Sequence, residues 1–84
     1  MRLDKFLKVS RIIKRRTVAN EASDAGRVTV NGKEAKPAKD VKTGDIISVR
    51  FGDKEIFFKV KEVPVGNVGK DRAETLYEVI MNNE

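Results

Sequence analysis

Asn31-Gly32 is the feature that most constrains this chain. A two-residue hairpin loop of type I′ needs positive φ at both central positions, and Asn-Gly supplies this at the least steric cost. The flanks agree. Arg27–Val30 alternates, with Val28 and Val30 on one face, and Lys33–Lys36 can form a short return strand. A sheet must therefore grow from this hairpin. Pro37 interrupts the return strand, and 37–44 is expected to be a loop. Thr43-Gly44-Asp45 turns into a strand at Ile46–Phe51, and Gly52-Asp53-Lys54 is a second turn. Glu55–Val63 is a longer strand, with Ile56, Phe58 and Val60 alternating, and Val63-Pro64 ends it. Gly66–Lys70 is expected to be mobile. Arg72–Met81 stays open: Ala73, Leu76 and Tyr77 suit a helix, whereas Leu76–Ile80 suits a last strand.

The period upstream of the hairpin is helical. Leu3, Phe6 and Leu7 recur at i, i+3 and i+4, with Ile13 near the same face, which predicts a helix from about Arg2 to Ile13. A second helix is expected from about Arg16 to Ala25. Val18, Ala22 and Ala25 would share its buried face, and Ala19 would widen it. Thr17 is a candidate N-cap, with a start one or two residues earlier as the alternative. Gly26 supplies the left-handed position that ends many helices. A tight bend at Lys14–Arg16 would join the two.

Charge marks the same bend. The first 16 residues hold Arg2, Lys5, Lys8, Arg11, Lys14, Arg15 and Arg16 against a single acid, Asp4, a net of +6. The other 68 residues carry 11 bases and 12 acids, so the chain's +5 at pH 7 sits in its first fifth. A surface that serves only solubility mixes signs throughout. Lys8, Arg11 and Arg15 also follow helical spacing and would make a basic stripe. The bend would bring this stripe beside the N-terminus of the second helix. Free N–H groups and a positive dipole end there suit a phosphate. A polyanion is the expected partner. Asn31 and Lys33, at the hairpin tip, could extend the surface, and Asn20 occupies an exposed helical position.

Other classes fit poorly. With 84 residues there is room for one small domain, and the absence of Cys and His removes thiolate and imidazole metal sites and the commonest catalytic base. Asp40, Asp45, Asp53 and Glu62 sit in turns or on alternating strands, where carboxylates usually serve structure. No phosphate-loop or dinucleotide motif is present. No apolar run approaches the length of a membrane span. A basic amphipathic helix could lie on a membrane surface, but Leu3, Phe6, Leu7 and Ile13 are what a small core needs. The expectation is a soluble, cytoplasmic, non-catalytic protein with no cofactor and no membrane partner. Five aromatic residues are present, and Phe51, Phe57 and Phe58 are assigned to the core. Few are then left for base stacking, which favours structured RNA over single strands.

"RLDKFL", then "KRRTVANEASDAGRVTVNG", then "VKTGDIISV" resembles the S-four RNA-binding domain, or αL motif, over about residues 1–51. Gly26, Val28, Asn31-Gly32 and Gly44-Asp45 are all in place. One departure is Arg15, which stands where many relatives carry Ser or Thr as an N-cap. The resemblance implies an α+β fold, a helix-turn-helix packed on a small, mostly antiparallel twisted sheet. Residues 1–63 would form the RNA-binding domain and 64–84 an extension packed on it. The start "MRLDKFLKVSR" is similar to the stand-alone bacterial RqcP (YabO) family, related to the heat-shock protein fifteen group. That likeness implies ribosome-associated quality control. The implied partners are large-subunit rRNA, the peptidyl-site tRNA, a large ribosomal subunit with a stalled nascent chain, and the alanine-tailing factor RqcH. It also implies a monomer off the ribosome, with Arg2 and Arg16 foremost in RNA contact. Two other functions remain open: an accessory domain of an rRNA-modifying enzyme, and a chaperone-like interaction module working through its strands.

Overall fold

The computed structural model of the chain describes residues 1–65 and 69–83. Two helices precede the sheet, α1 at Leu3–Val9 and α2 at Arg16–Asp24. Five strands follow: β1 Val28–Val30, β2 Lys33–Glu34, β3 Ile46–Phe51, β4 Lys54–Val60 and β5 Tyr77–Asn83. They form one sheet in the order β2-β1-β3-β4-β5, every pair antiparallel. This is the expected α+β arrangement.

The hairpin is as its sequence requires. Asn31 has φ 54° and Gly32 φ 87°, both positive, as a type I′ turn demands. The alternation places Val28, Val30, Ile47, Val49, Phe58 and Val60 in the core, with Leu3, Phe6 and Leu7 from α1 against them. Each such side chain contributes roughly 1.5–3 kcal/mol on burial. The apolar face of β4 is therefore committed to the core, which removes the motive for a chaperone surface there.

The first helix is shorter than its periodicity suggests. It ends at Val9, because Arg11 turns left-handed at φ 63°. Arg11 N–H donates to the Lys8 carbonyl at 3.1 Å, and Ile13 N–H to the Leu7 carbonyl at 3.1 Å. This resembles a Schellman closure. It returns Ile13 to the core through a turn, so the apolar spacing continues where the helix does not. The basic residues consequently form no helical stripe: Lys8 lies on α1, Arg11 in the turn and Arg15 on extended backbone before α2.

The buried face of α2 also differs from expectation. Ala19 and Ser23 are buried and Ala22 is half-buried, whereas Ala25 is exposed and Val18 is 46% exposed. Close approach to α1 selects the small residues. Thr17 lies inside the helix, and the N-cap is Arg15, two residues earlier.

Beyond β4, which stops at Val60 rather than Val63, the open segment resolves into both readings. Lys70–Ala73 is a short helix, α3, and Glu74–Leu76 a 3₁₀ turn leading into β5. Leu76 is fully buried, and Tyr77 meets Phe58 edge-on at 5.3 Å between ring centroids. Of the loop expected to be mobile, 66–68 lie outside the described residues, Gly69 is the N-cap of α3 and Lys70 is its first residue.

Candidate nucleic-acid interface

The site is built around the one acid of the basic segment. Asp4 lies in the first turn of α1, and its side chain is only 3% exposed. A buried carboxylate must be paired and hydrogen-bonded. One oxygen, Oδ1, accepts from the Lys5 N–H at 2.8 Å and from Arg2 Nε at 3.2 Å. The other, Oδ2, accepts from Asn20 Nδ2 at 3.3 Å and Arg2 Nη2 at 3.3 Å, and lies 3.5 Å from Arg16 Nε. Burial alone would push this carboxyl's pKa up. The hydrogen bonds from Asn20 and Arg2, with the charges of Arg16 and Arg2, outweigh that and hold it below the usual carboxylate range.

The sign of the stability effect follows. A carboxyl whose folded pKa is lowered stabilises the fold above its unfolded pKa, near 3.9. That contribution disappears as the pH falls through the folded value. The Asp4→Asn protein should therefore show a shallower loss of stability below about pH 4 than the parent, measured by urea unfolding across pH 2–5. An unchanged acid limb would contradict this role.

Backbone contacts fix the start of α1. Leu3 N–H donates to the Lys39 carbonyl at 2.8 Å, Asp4 N–H to the Pro37 carbonyl at 3.2 Å, and Val41 N–H to the Met1 carbonyl at 2.8 Å. The Met1 ammonium meets Asp40 at 2.8 Å. These bonds set Arg2, the N-cap residue, while leaving its side chain half exposed. The N-terminus of α1 is thereby satisfied by protein. At α2 the N-cap residue Arg15 makes no side-chain cap, so no side chain of that residue answers the helix's first N–H groups, which lie beside Arg16.

The structure thus unites Arg2, Arg16 and Asn20 through Asp4, across the two helices. Asn20 is half-buried and engaged there rather than exposed. Arg11, Lys14 and Arg15 lie in the connection between the helices, and Lys5 and Lys8 on α1. Among the described residues, Lys5, Lys8, Arg11, Lys14 and Arg15 have no carboxylate partner. Asn31 is not joined to this group. Its side chain donates to Asp45 Oδ1 at 3.1 Å and accepts from Ile46 N–H at 3.0 Å, which locks the hairpin tip to β3. Lys33 is exposed beside that tip. Of the other carboxylates, Asp40 holds the N-terminus, Asp45 caps Lys42 N–H, and Glu62 pairs with Arg72 at 3.1 Å.

Asp4 is the member of the candidate site that residue patterns missed. Its signal is present: a lone acid among seven bases, in the first turn of a helix, between the core positions Leu3 and Phe6.

Arg11 carries a backbone cost for its position. A non-glycine residue in the left-handed region is disfavoured by about 1–2 kcal/mol. Replacing Arg11 by Gly should raise thermal stability by about 0.5–1 kcal/mol, by relieving that strain. It should also flatten the salt dependence of RNA binding by about one phosphate contact. A stable but binding-neutral variant would remove Arg11 from the interface.

Comparison with known proteins points the same way. Residues 1–47 match the S4 domain family model. The chain is 50% identical, over 95% of its length and 92% of the relative's, to the RQC P-site tRNA stabilizing factor of Bacillus subtilis (strain 168). It is 52% identical to the protein of that name from Streptococcus pneumoniae (strain ATCC BAA-255 / R6), over 95% of this chain and 90% of the relative. Its fold is similar to that of heat shock protein 15 from Vibrio cholerae, solved as a trimer. The TM-score is 0.86 at 34% identity, covering 95% of this chain and 81% of that one.

Proposed function

This chain belongs to the S4 domain family and to the group of its RQC P-site tRNA stabilizing factor relatives, and from that premise we propose that it is a non-catalytic RNA-binding factor of the large ribosomal subunit. It binds rRNA and the peptidyl-site tRNA on subunits that retain a stalled nascent chain. There it supports C-terminal alanine tailing with RqcH in ribosome-associated quality control. It works in the cytoplasm and is a monomer off the ribosome. The relatives are named as stabilizing factors, not as enzymes, and no helix among the described residues is long and apolar enough to cross a membrane.

One observation carries this reading. Asp4 holds Arg2 and Arg16 together at an uncapped helix N-terminus, beside five cations that lack carboxylate partners among the described residues. Partnerless cations held side by side repel each other, and phosphates relieve that repulsion. Arg2 and Arg16 make the positioned contacts, since guanidinium groups grip phosphate bidentately. Lys5, Lys8, Arg11, Lys14 and Arg15 supply the surrounding field, and Asn20 acts by holding Asp4. Asn31 and Lys33 form an outlying part of the surface. Residues 1–63 carry this unit and 64–84 extend it; Leu76 enters the same core, which supports the packing of the extension on the domain.

The test is co-sedimentation with purified large subunits, either vacant or carrying peptidyl-tRNA in the P site. The protein should pellet with both and be retained better by the loaded subunits. Equal retention would contradict the tRNA contact, and no pelleting would contradict the whole reading.

A further inference from the structure

A second surface adjoins the basic turn. Exposed Val18 and half-buried Ala22 of α2 and Phe51 at the end of β3 line a groove of about 480 Å³, with Lys14, Arg27 and Arg50 among its other lining residues. That volume falls in the range of about 300–1,000 Å³ found for sites that hold small organic groups. Its lining is unusual in two respects. Val18 is 46% and Phe51 41% exposed, so two large apolar side chains face water that a small core could have used. No acid lines the groove among the described residues, and none of its three cations has a carboxylate partner there. Phe51 is thus not the core residue its place in a strand suggests.

An apolar floor with an unneutralised cationic rim calls for an anion that carries a flat apolar body. An unpaired nucleotide has that chemistry: its base stacks on an aromatic ring, and its phosphate meets Arg and Lys. An acidic peptide with an apolar anchor is the competing occupant. Continuity favours RNA, because Lys14 belongs both to this groove and to the basic turn that leads to Arg15 and Arg16. A strand tracked by the turn reaches the groove without leaving positive potential. We propose that the groove holds one unstacked nucleotide of the bound RNA, its base against Phe51 and its phosphate among Lys14, Arg27 and Arg50. The inference rests on the RNA-binding reading above and adds to it a preference for RNA with a flipped-out base.

The test compares a blunt RNA duplex of about 16 base pairs with the same duplex carrying one bulged nucleotide. Binding of each is measured for the full chain and for Phe51→Leu, which keeps an apolar side chain but removes the ring. Val18→Ser, at an exposed helix position, is a second variant with little bearing on the fold. The parent should prefer the bulged duplex by about 5- to 100-fold, the range that base–aromatic stacking supplies. Phe51→Leu should abolish most of that preference while binding the blunt duplex as the parent does, and Val18→Ser should reduce it. Arg50→Gln should lower the salt slope on the bulged duplex alone. A parent that binds both duplexes equally, with a steep salt slope, would overturn the groove assignment and leave the basic turn standing. A parent that binds neither would overturn both. The probe for the competing occupant is a Glu/Leu peptide. If it binds the parent and not Phe51→Leu, while RNA binding is unaffected by the same change, the groove is a protein site and the proposal fails.

Discussion

Raising monovalent salt from about 50 to 200 mM should weaken the chain's binding to large ribosomal subunits by about 10²- to 10⁴-fold. Seven cations fall within the first 16 residues, and five to seven phosphate contacts at a slope of about −0.7 to −0.9 each produce that loss. The effect is large because the five cations without carboxylate partners among the described residues gain nothing from such pairing and everything from counterion release. Equilibrium binding in a salt titration checks it. Lys14→Ala and Arg15→Ala should each flatten the slope by about one contact and leave thermal stability within about 0.5 kcal/mol, since both side chains are exposed. A salt-independent affinity would mean that the strands, or another apolar surface, carry the interaction.

Arg16→Ala should lower affinity for large subunits by about 10- to 100-fold. A hydrogen bond to a charged group contributes about 1.5–3 kcal/mol, and each 1.4 kcal/mol is a factor of ten. Its fold should survive, because Asp4 keeps Arg2, Asn20 and the Lys5 N–H as partners. Asp4→Ala makes the complementary case. It touches no phosphate, yet it frees Arg2 and Arg16 from their shared anchor and removes the acceptor for Asn20. It should cost about 1–3 kcal/mol of stability and, at a temperature where the variant stays folded, reduce affinity too. The double variant Asp4→Ala/Arg16→Ala should then lose less affinity than the sum of the singles, because the two act through one contact. Strict additivity would show that Asp4 does not position Arg16.

The order of elements was legible because local turn chemistry wrote it. Asn31-Gly32 allows one kind of hairpin, and Gly26, at φ 77°, ends α2 where its Cβ would also stand 3.0 Å from the Glu34 carboxylate. The end of α1 was not legible. Ile12 and Ile13 prolong the apolar pattern, yet Ile13 is buried by a left-handed turn at Arg11, which periodicity does not report. The buried face of α2 was misread for a related reason. Ala19 and Ser23 have little hydrophobic signal, and their burial comes from the closeness of α1, which exists only in three dimensions. Phe51 looked like core because strands bury aromatics, but it lies where β3 ends and the turn at Gly52 begins. The cluster of cations was plain from the charge count. What it lacked was Asp4: a lone acid looks like weak compensation until the fold buries it against Arg2, Arg16 and Asn20.

Crosslinking the protein to RNA in cells and sequencing what is attached tests the central claim most directly. The account predicts large-subunit rRNA and tRNA together, with the crosslinked peptides drawn mainly from residues 2–16 and joined by the one that carries Phe51, and a sharp loss of both RNAs in Arg16→Ala. Recovery of messenger RNA alone, or of the same RNAs at undiminished yield from Arg16→Ala, would contradict it.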